Sequence, residues 1–184
     1  MGRLVEPIEP MLNLQHLGNG MPALSPARGI MMAECASVCF EDRTHSAGVS
    51  LRVVGLADKE FSVLWDEVTE VHRRTYNDLE EATEHGAYGV AIVLLREITG
   101  KKVIDRAKKG PGFDYWIGDT DEDELIFSNK ARLEVSGILS GTDSKIAARL
   151  RTKLEQVKPS DLSGYPAYVA IIEFGQPKAR VELK

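Results

Sequence analysis

The chain has few cysteines, and their spacing supports no metal or disulfide chemistry. Cys35 and Cys39 are the two cysteines among 184 residues. They do not form a CxxC pair, and no histidine stands beside them at the spacing of a zinc site, which argues against a zinc-binding module. Residues four apart on a strand share a face, so we expect two free, partly buried thiols on one strand and no disulfide.

Long apolar runs and an excess of positive charge are also missing. The longest apolar run, AYGVAIVLL, is far shorter than a membrane-spanning helix, and the first residues lack the basic-then-apolar order of a signal peptide. These absences predict a cytoplasmic protein with no membrane partner. Lys and Arg total 23 against 28 Asp and Glu, a net charge of −5. A general nucleic-acid binder is usually basic, so any contact with nucleic acid would be local.

The distribution of proline and glycine divides the chain into two parts. Four prolines occur within residues 1–28, with Gly18 and Gly20 between them, and they predict an extended N-terminal arm or loop, either packed on the domain or mobile. From residue 29 onwards, the apolar residues follow either the alternation of a strand or the period of a helix. The length of 29–184 suits one well-packed α/β domain.

Hydrophobic periodicity predicts the order β-β-α-α-β-β-α-β, a mixed sheet flanked by helices. The first two strands are expected to form a hairpin through the polar turn EDRTHSA. The predicted elements are strands over 30–40 and 48–55, a helix beginning at Phe61, a buried helix ending at Gly100, the strands KKVID, FDYWIG and ARLEVSGI, the helix SKIAARLRTKLEQVK, and the closing strands AYVAIIEF and KARVELK.

Two of these strands carry an acidic residue among apolar ones. In FDYWIG, strand alternation puts Asp114 on one face with Trp116, and in ARLEVSGI it puts Glu134 on one face with Arg132 and Ser136. Phe113, Tyr115 and Ile117 are expected on the face opposite Asp114.

The two acids would lie side by side if these strands pair as an antiparallel hairpin. Two carboxylates at such a short distance repel each other unless a positive charge lies between them. Mg²⁺ or Mn²⁺ can supply this charge, since both ions bind oxygen ligands. The alternative is an ordinary half-exposed sheet surface on which Arg132 pairs with either carboxylate.

The stretches TEHGAYGVAIVLL, GPGFDYWIG and ARLEVSGI, within residues 83–138, resemble the core of the PD-(D/E)XK nuclease superfamily, and most closely an uncharacterised bacterial branch of it. The resemblance implies a restriction-endonuclease-like core, with SKIAARLRTKLEQVK as the helix after the third core strand. It implies that Asp114 and Glu134 bind Mg²⁺ or Mn²⁺ and that the backbone carbonyl of Val135 is a further ligand. Glu84, on the first core helix, would complete the shell directly or through water.

One residue departs from the superfamily pattern. Ser136 stands where the superfamily has a lysine, which orients or activates the attacking water and offsets charge in the transition state. A cation from elsewhere could replace it, and the candidates are Lys130 and Arg132 on the face of Glu134, and Lys145 at the start of the next helix.

Basic residues could also form one phosphate-binding surface around the site despite the acidic total. The equal alternative is that they are solvated helix faces paired with nearby glutamates. These groups are HRR at 72–74, KK at 101–102, RAKK at 106–109, and the helical stripe Lys145, Arg149 and Lys153.

The resemblance implies a metal-dependent nuclease acting on nucleic acid, DNA in preference to RNA, in bacterial defence or a mobile element. The competing hypothesis is a catalytically inactive adaptor or protein-binding module of the same fold, with Ser136 as the mark of lost chemistry. A lysine or arginine within about 4–6 Å of both carboxylates would favour the enzyme. Pairing with a second copy of the chain and binding to a partner protein both stay open.

Overall fold

A mixed eight-stranded sheet runs through the part of the protein that the computed structural model describes, residues 10–110, 112–123 and 125–184. The strand order is β1-β3-β2-β8-β7-β6-β5-β4. The predicted α/β class, a mixed sheet flanked by helices, is confirmed. The strands are β1 (Met11–Asn13), β2 (Val49–Gly55), β3 (Lys59–Leu64), β4 (Lys102–Arg106), β5 (Tyr115–Thr120), β6 (Phe127–Ile138), β7 (Ala167–Glu173) and β8 (Lys178–Leu183); the helices are α1 (Pro26–Asp42), α2 (Glu70–Thr75), α3 (Leu79–Thr99) and α4 (Asp143–Gln156).

The two faces of the sheet bury different helices. Helices α1 and α3 pack on one face, where Leu133 and Val135 of β6 belong to the larger core cluster. Helix α4 packs on the other face, where Ile146 and Leu150 join Val169 of β7. Because neighbouring strand residues point to opposite faces, Glu134 and Ser136 point to the side of α4.

Strand β6 organises the half of the sheet that matters for function. It pairs antiparallel with β5, as the sequence predicts, and parallel with β7. The register places Tyr115 opposite Leu133, and β5 begins at Tyr115. Strand β6 continues to Ile138. In the described part of the chain, its residues after Leu133 pair with β7 alone. This leaves one short open edge in the middle of the sheet.

The predicted helix before Gly100 is confirmed as α3. Its apolar residues are buried on nearly all sides from Gly86 to Leu95, between α1 and the sheet. Gly100 ends the helix in a left-handed conformation, φ +74°, as glycine does at helix C-termini. Strands β4, β7 and β8 and helix α4 also lie where the sequence predicts them. No helix in the described part of the chain is long and apolar enough to cross a membrane.

The predicted strand over 30–40 is wrong, and with it the hairpin to 48–55. The segment is part of helix α1, capped by the Ser25 side chain and begun by Pro26. A continuous apolar run fits a buried helix as well as a buried strand, and here α3 covers it. Cys35 and Cys39 therefore lie one helical turn apart as buried free thiols, and burial raises the pKa of each to about 12.

The predicted helix beginning at Phe61 is also wrong at its start. Phe61 and Val63 are buried residues of β3, which pairs antiparallel with β2 and supplies the hairpin partner of that strand. Four residues are too few to separate strand alternation from a helical period. The helical part of the segment is α2, at Glu70–Thr75.

The segment 10–28 is part of the domain and not an extended arm. Strand β1 pairs parallel with β3, and Leu12, Leu14 and Leu17 are fully buried. Helix α1 begins at Pro26 and runs past the predicted boundary at residue 28. The prolines and glycines mark the turns of this segment, while its leucines fix it to the core. The part of the predicted arm at residues 1–9 lies outside the described residues.

Candidate functional site

A cavity of about 640 Å³ opens where β6 extends past the start of β5. The last residues of β6 form its floor, the first half of α3 forms one wall and α4 forms the other. The cavity brings together most of the residues predicted for the site: Glu84, Asp114, Glu134, Val135 and Ser136.

Asp114 lies directly before β5 and is held from three sides. Its backbone N–H donates to the Leu133 carbonyl at 2.8 Å. Its Oδ2 accepts the Val135 backbone N–H at 2.9 Å, so its side chain continues the ladder between the two strands. Its Oδ1 accepts from the Tyr88 hydroxyl at 3.0 Å and lies 3.4 Å from Arg106 Nη1. The carboxylate is thus fixed beside the floor of the cavity.

The Val135 carbonyl faces the open edge of β6. Leu133 directs its carbonyl towards the β5 side, because that oxygen accepts the Asp114 N–H. Backbone groups alternate along a strand, so Val135, two residues on, presents its carbonyl to the same side. At that point β5 has not begun. A backbone oxygen therefore lies beside the two acidic residues.

Glu134 is buried, with about 1% of its surface exposed. Its Oε1 accepts hydrogen bonds from Lys153 Nζ at 2.5 Å and from Gln156 Nε2 at 3.0 Å. Burial, and then the charge of Asp114, raise the pKa of Glu134 to about 7, against the opposing effect of Lys153. The two acids lie close together, as predicted, since both line the same cavity and Asp114 accepts the N–H of Val135, the residue after Glu134.

Helix α4 brings positive charge to the position that Ser136 leaves neutral. Arg149 Nη1 donates to the Ser136 hydroxyl at 2.8 Å, and Lys153 contacts Glu134 one helical turn later. Thr142 caps the helix, and Ile146 and Leu150 anchor its apolar side on the sheet. The predicted basic stripe on this helix therefore lines the cavity.

Glu84 and Tyr88 stand one turn apart on α3 and face the cavity together. The Tyr88 hydroxyl lies 3.3 Å from Glu84 Oε1 and 3.0 Å from Asp114 Oδ1, so its single hydrogen can be donated to either carboxylate, and the shorter distance favours Asp114. Burial, then the charge of Asp114, raises the pKa of Tyr88 well above its usual value, which keeps the hydroxyl a donor. The i, i+4 spacing from Glu84 is the sequence signal that could have found Tyr88.

Arg106 is the second residue that the sequence did not indicate individually. Its guanidinium lies over the rings of Tyr115 and Tyr88, 4.4 and 5.5 Å from their centroids. Its Nη1 donates to the Asp114 carbonyl at 2.5 Å. The sequence shows Arg106 as one of several charges in a basic loop, and the strand pairing of β4 with β5 selects it.

The cations predicted to replace the motif lysine lie elsewhere or make other contacts. Lys130 is exposed and lines a different cavity. It stands four positions before Glu134 on β6, a distance of about 13 Å along the strand. Arg132 is buried and holds the segment 158–163, donating to Val157, Ser160, Asp161 and Tyr165. Lys145 does line the site, but its Nζ donates to the Ser140 carbonyl.

One further prediction about the surroundings is corrected, and for one basic group the contacts favour the paired alternative. Phe113 lies on the α4 side and packs against Trp116 with ring centroids 4.9 Å apart, because β5 begins after it and the alternation does not extend that far. The basic group 72–74 pairs with acids on another surface, Arg73 with Glu41 and Arg74 with Glu70. Among the described contacts, Asp114 pairs with Arg106 and Glu134 pairs with Lys153, and no cation bridges these two acids.

The donor atoms at the site are of the kind that Mg²⁺ and Mn²⁺ prefer. Two carboxylates and one backbone carbonyl are hard oxygen ligands, and the remaining positions can be filled by water and phosphate oxygens. Across the described ranges, no group of three or more His, Cys, Asp or Glu side chains is arranged to hold a metal ion. The protein would therefore contribute few side-chain ligands, as is usual for Mg²⁺.

Comparisons of the chain with models of protein families, with curated proteins and with solved structures find no match in any of the three.

Proposed function

We propose that the protein is a nuclease that hydrolyses phosphodiester bonds of nucleic acid with Mg²⁺ or Mn²⁺. The observation that carries this proposal is one cavity with Asp114 and Glu134 at its floor and Arg149 and Lys153 on its wall. Metal-dependent phosphodiester hydrolysis uses carboxylates to hold the ion and cations to stabilise charge on the phosphate, and this cavity has both kinds of group. A role in bacterial defence or a mobile element rests on the motif resemblance alone.

The order of the elements supports a restriction-endonuclease-like core. Glu84 lies on helix α3, Asp114 precedes the second of three antiparallel strands, and Glu134 lies on the third. Helix α4 follows that strand directly. This is the order that the resemblance to the PD-(D/E)XK superfamily implies. We propose the specific core on this ground, beyond the general α/β class.

Asp114, Glu134 and the Val135 carbonyl are the groups that would hold the ion, with Glu84 reaching it directly or through water. When bound, such an ion makes water a better nucleophile and stabilises negative charge on the phosphate. Tyr88 and Arg106 keep the Asp114 carboxylate in place. A fixed ligand geometry of this kind is what outer hydrogen bonds provide around metal sites.

Lys153 and Arg149 would perform the task of the lysine that Ser136 replaces. The Lys153 ammonium already lies at the Glu134 carboxylate, where it can orient a water molecule beside the acid. The Arg149 guanidinium carries several donors in a planar fork that fits phosphate oxygens. Both groups come from one rigid helix, so their positions relative to the acids are set before substrate binds.

A second candidate is a binding module without catalytic activity. The observation that favours it is that each acid is already paired, Asp114 with Arg106 at 3.4 Å and Glu134 with Lys153 at 2.5 Å. A site neutralised by its own cations needs no metal ion to be stable. This alternative predicts that divalent ions neither bind at the cavity nor alter the protein's melting temperature.

The test is a cleavage assay with Mg²⁺ or Mn²⁺ on plasmid, linear duplex, single-stranded DNA and RNA. Glu134→Gln and Asp114→Asn remove one carboxylate charge each, and Arg151→Gln changes an exposed cation of α4 that does not line the cavity. We expect cleavage by the wild type and by Arg151→Gln, and loss of cleavage in both acid variants and with chelator. Folded wild-type protein that cuts nothing and binds no Mn²⁺ would favour the binding module.

A further inference from the structure

We propose that the substrate is a single nucleic-acid strand whose phosphates lie along helix α4. This inference rests on the proposed function and adds the substrate class and the surface that selects it. It is argued from the spacing of the cations, from their partners, from the charge of the opposite wall and from the aromatic rings beside the cavity.

The cations of α4 form a row, at i, i+4 and i+8, along one wall of the cavity. Lys145, Arg149 and Lys153 are four residues apart and all three line the cavity. An α-helix rises 1.5 Å per residue, so successive cations are separated by about 6 Å along the axis. This spacing is comparable to that of successive phosphates on an extended strand. The row can therefore follow one backbone, with Lys153 nearest the acids.

The two cations of the row that lie farther from Glu134, Lys145 and Arg149, are not neutralised by acids. Lys145 donates to the Ser140 carbonyl and Arg149 to the Ser136 hydroxyl, and within the described residues neither contacts a carboxylate. Other lysines nearby are paired, for example Lys158 with Glu155. In a chain of net charge −5, unneutralised cations on one wall mark a local site for anions.

The opposite wall has the opposite charge. Glu80 and Glu84 of α3 line the cavity, and neither contacts a lysine or arginine in the described part of the chain. A duplex presents phosphates on two strands, and the second strand would meet these acids. The cavity volume, about 640 Å³, is within the range of sites for small ligands and is too small to enclose a segment of duplex. One strand fits this arrangement and two do not.

Aromatic rings continue from the end of the row. The ring of Phe113, next to Asp114, contacts Trp116 at 4.9 Å, and Trp116 contacts Tyr165 at 5.3 Å. Tyr165 is 42% exposed and lines the neighbouring cavity that also contains Lys130, so a strand that reaches this ring extends beyond the cavity of the acids. An exposed ring can stack on the face of an unpaired base, which a single strand offers and an intact duplex does not. The rings lie beside the C-terminal end of α4, since Gly112 packs directly on the Gln156 carbonyl.

The experiment measures binding of labelled strands to wild-type protein in EDTA, so that no cleavage occurs. The probes are one sequence as single-stranded DNA, as single-stranded RNA and as DNA duplex, each at several salt concentrations. We expect at least tenfold tighter binding of single strands than of duplex. The two single-strand probes decide between DNA and RNA as the source of the phosphates.

Matched variants locate the bound strand. Lys145→Gln should weaken single-strand binding roughly twofold to fivefold and lower the slope of log K against log salt by about 0.7, the effect of one phosphate contact. Arg151→Gln removes the same charge from another side of α4 and should change neither. Tyr165→Ala should weaken binding, while Leu162→Ala, at a residue that is 99% exposed, should not.

The possible outcomes separate this inference from the proposed function. Duplex binding as tight as single-strand binding, equal effects of Lys145→Gln and Arg151→Gln, or no binding of any probe would overturn the inference. Metal-dependent cutting of duplex alone would keep the nuclease and remove the single-strand preference. Tight single-strand binding along α4 without cleavage would keep the inferred surface and remove the nuclease.

Discussion

Lys153 on helix α4 donates a 2.5 Å hydrogen bond to the buried carboxylate of Glu134 on strand β6, 19 residues earlier in the chain. Within the PD-(D/E)XK pattern a lysine would stand at position 136, two residues after this acid. Here the strand carries Ser136, and the ammonium reaches the same acid from the neighbouring helix. A positive charge thus reaches Glu134 from helix α4, while the strand itself carries a neutral serine two residues after the acid.

The first prediction concerns this ammonium. Lys153→Met should lower the cleavage rate constant at saturating substrate about 100-fold, because it removes a preorganised charge from the reacting phosphate. Lys153→Arg should recover part of the activity. Lys158→Met is the matched control, since Lys158 pairs with the exposed Glu155 outside the cavity. Unchanged cleavage by Lys153→Met would assign the lysine to packing alone.

The second prediction concerns pH. The pKa of Glu134 is raised from 4.5 to about 7, so its protonated form stabilises the fold fully below pH 4.5, and this contribution is lost as the pH rises through 7. In EDTA, the wild type should lose roughly 2–3 kcal/mol of unfolding free energy between pH 4 and pH 8 relative to Glu134→Gln. Denaturant titrations of both proteins at several pH values measure this difference.

The same ionisation of Glu134 determines whether metal binding becomes stronger or weaker as the pH rises. Because the ion needs the carboxylate form, Mn²⁺ should raise the melting temperature of the wild type more at pH 8 than at pH 5.5, and should release protons on binding near pH 7. Parallel curves for the wild type and Glu134→Gln would show that this acid does not titrate as described.

The third prediction concerns the hydroxyl of Tyr88. Tyr88→Phe removes the hydrogen bond that orients Asp114, and it leaves the ring packing unchanged. Mn²⁺ affinity should fall about 10- to 100-fold, the usual effect of losing an outer partner of a metal ligand. The control is Tyr76→Phe, which removes a hydroxyl bonded to Glu34 away from the cavity. Equal calorimetric affinities for both variants would contradict this role.

The fourth prediction separates stability from chemistry. Arg132 shares a face of β6 with Glu134, yet its guanidinium is buried among the carbonyls of Val157 and Tyr165. Arg132→Met should cost about 3 kcal/mol of unfolding free energy or more, since those carbonyls would lose their donors. Cleavage per folded molecule should stay near the wild-type value. Arg151→Met, an exposed change on α4, should alter neither quantity, and a catalytic loss confined to Arg132→Met would return it to the site.

The sequence predicts the half of the fold that carries the site better than the other half. Strands β4 to β8 and helix α4 have clear alternation or clear amphipathic stripes, and their predictions are confirmed. The sequence predicts a strand in place of helix α1 because this apolar run is buried on several sides, against α3 and against Leu14–Asn19, and so shows no clear helical period. Phe61 and Leu64 happen to match a helical spacing although they belong to β3.

The site divides in the same way. Glu134 follows from strand alternation and the stripe of α4 from i, i+4 spacing, whereas Asp114 lies just before β5, and its place beside Glu134 depends on how the two strands pair. The Glu134 contact with Lys153 depends on how closely α4 packs on the sheet. Arg106 depends on the register of β4 against β5. Such contacts are tertiary, and no local pattern encodes them.

The measurement that tests the central claim most directly is cleavage of single-stranded and duplex nucleic acid with Mn²⁺ by the wild type beside Glu134→Gln, with circular dichroism to show that both proteins are folded. The account predicts that the wild type cuts, that it prefers the single strand, and that Glu134→Gln and chelator both abolish cutting. Equal cutting by Glu134→Gln, or none by the wild type on any substrate, would contradict a nuclease centred on Asp114 and Glu134.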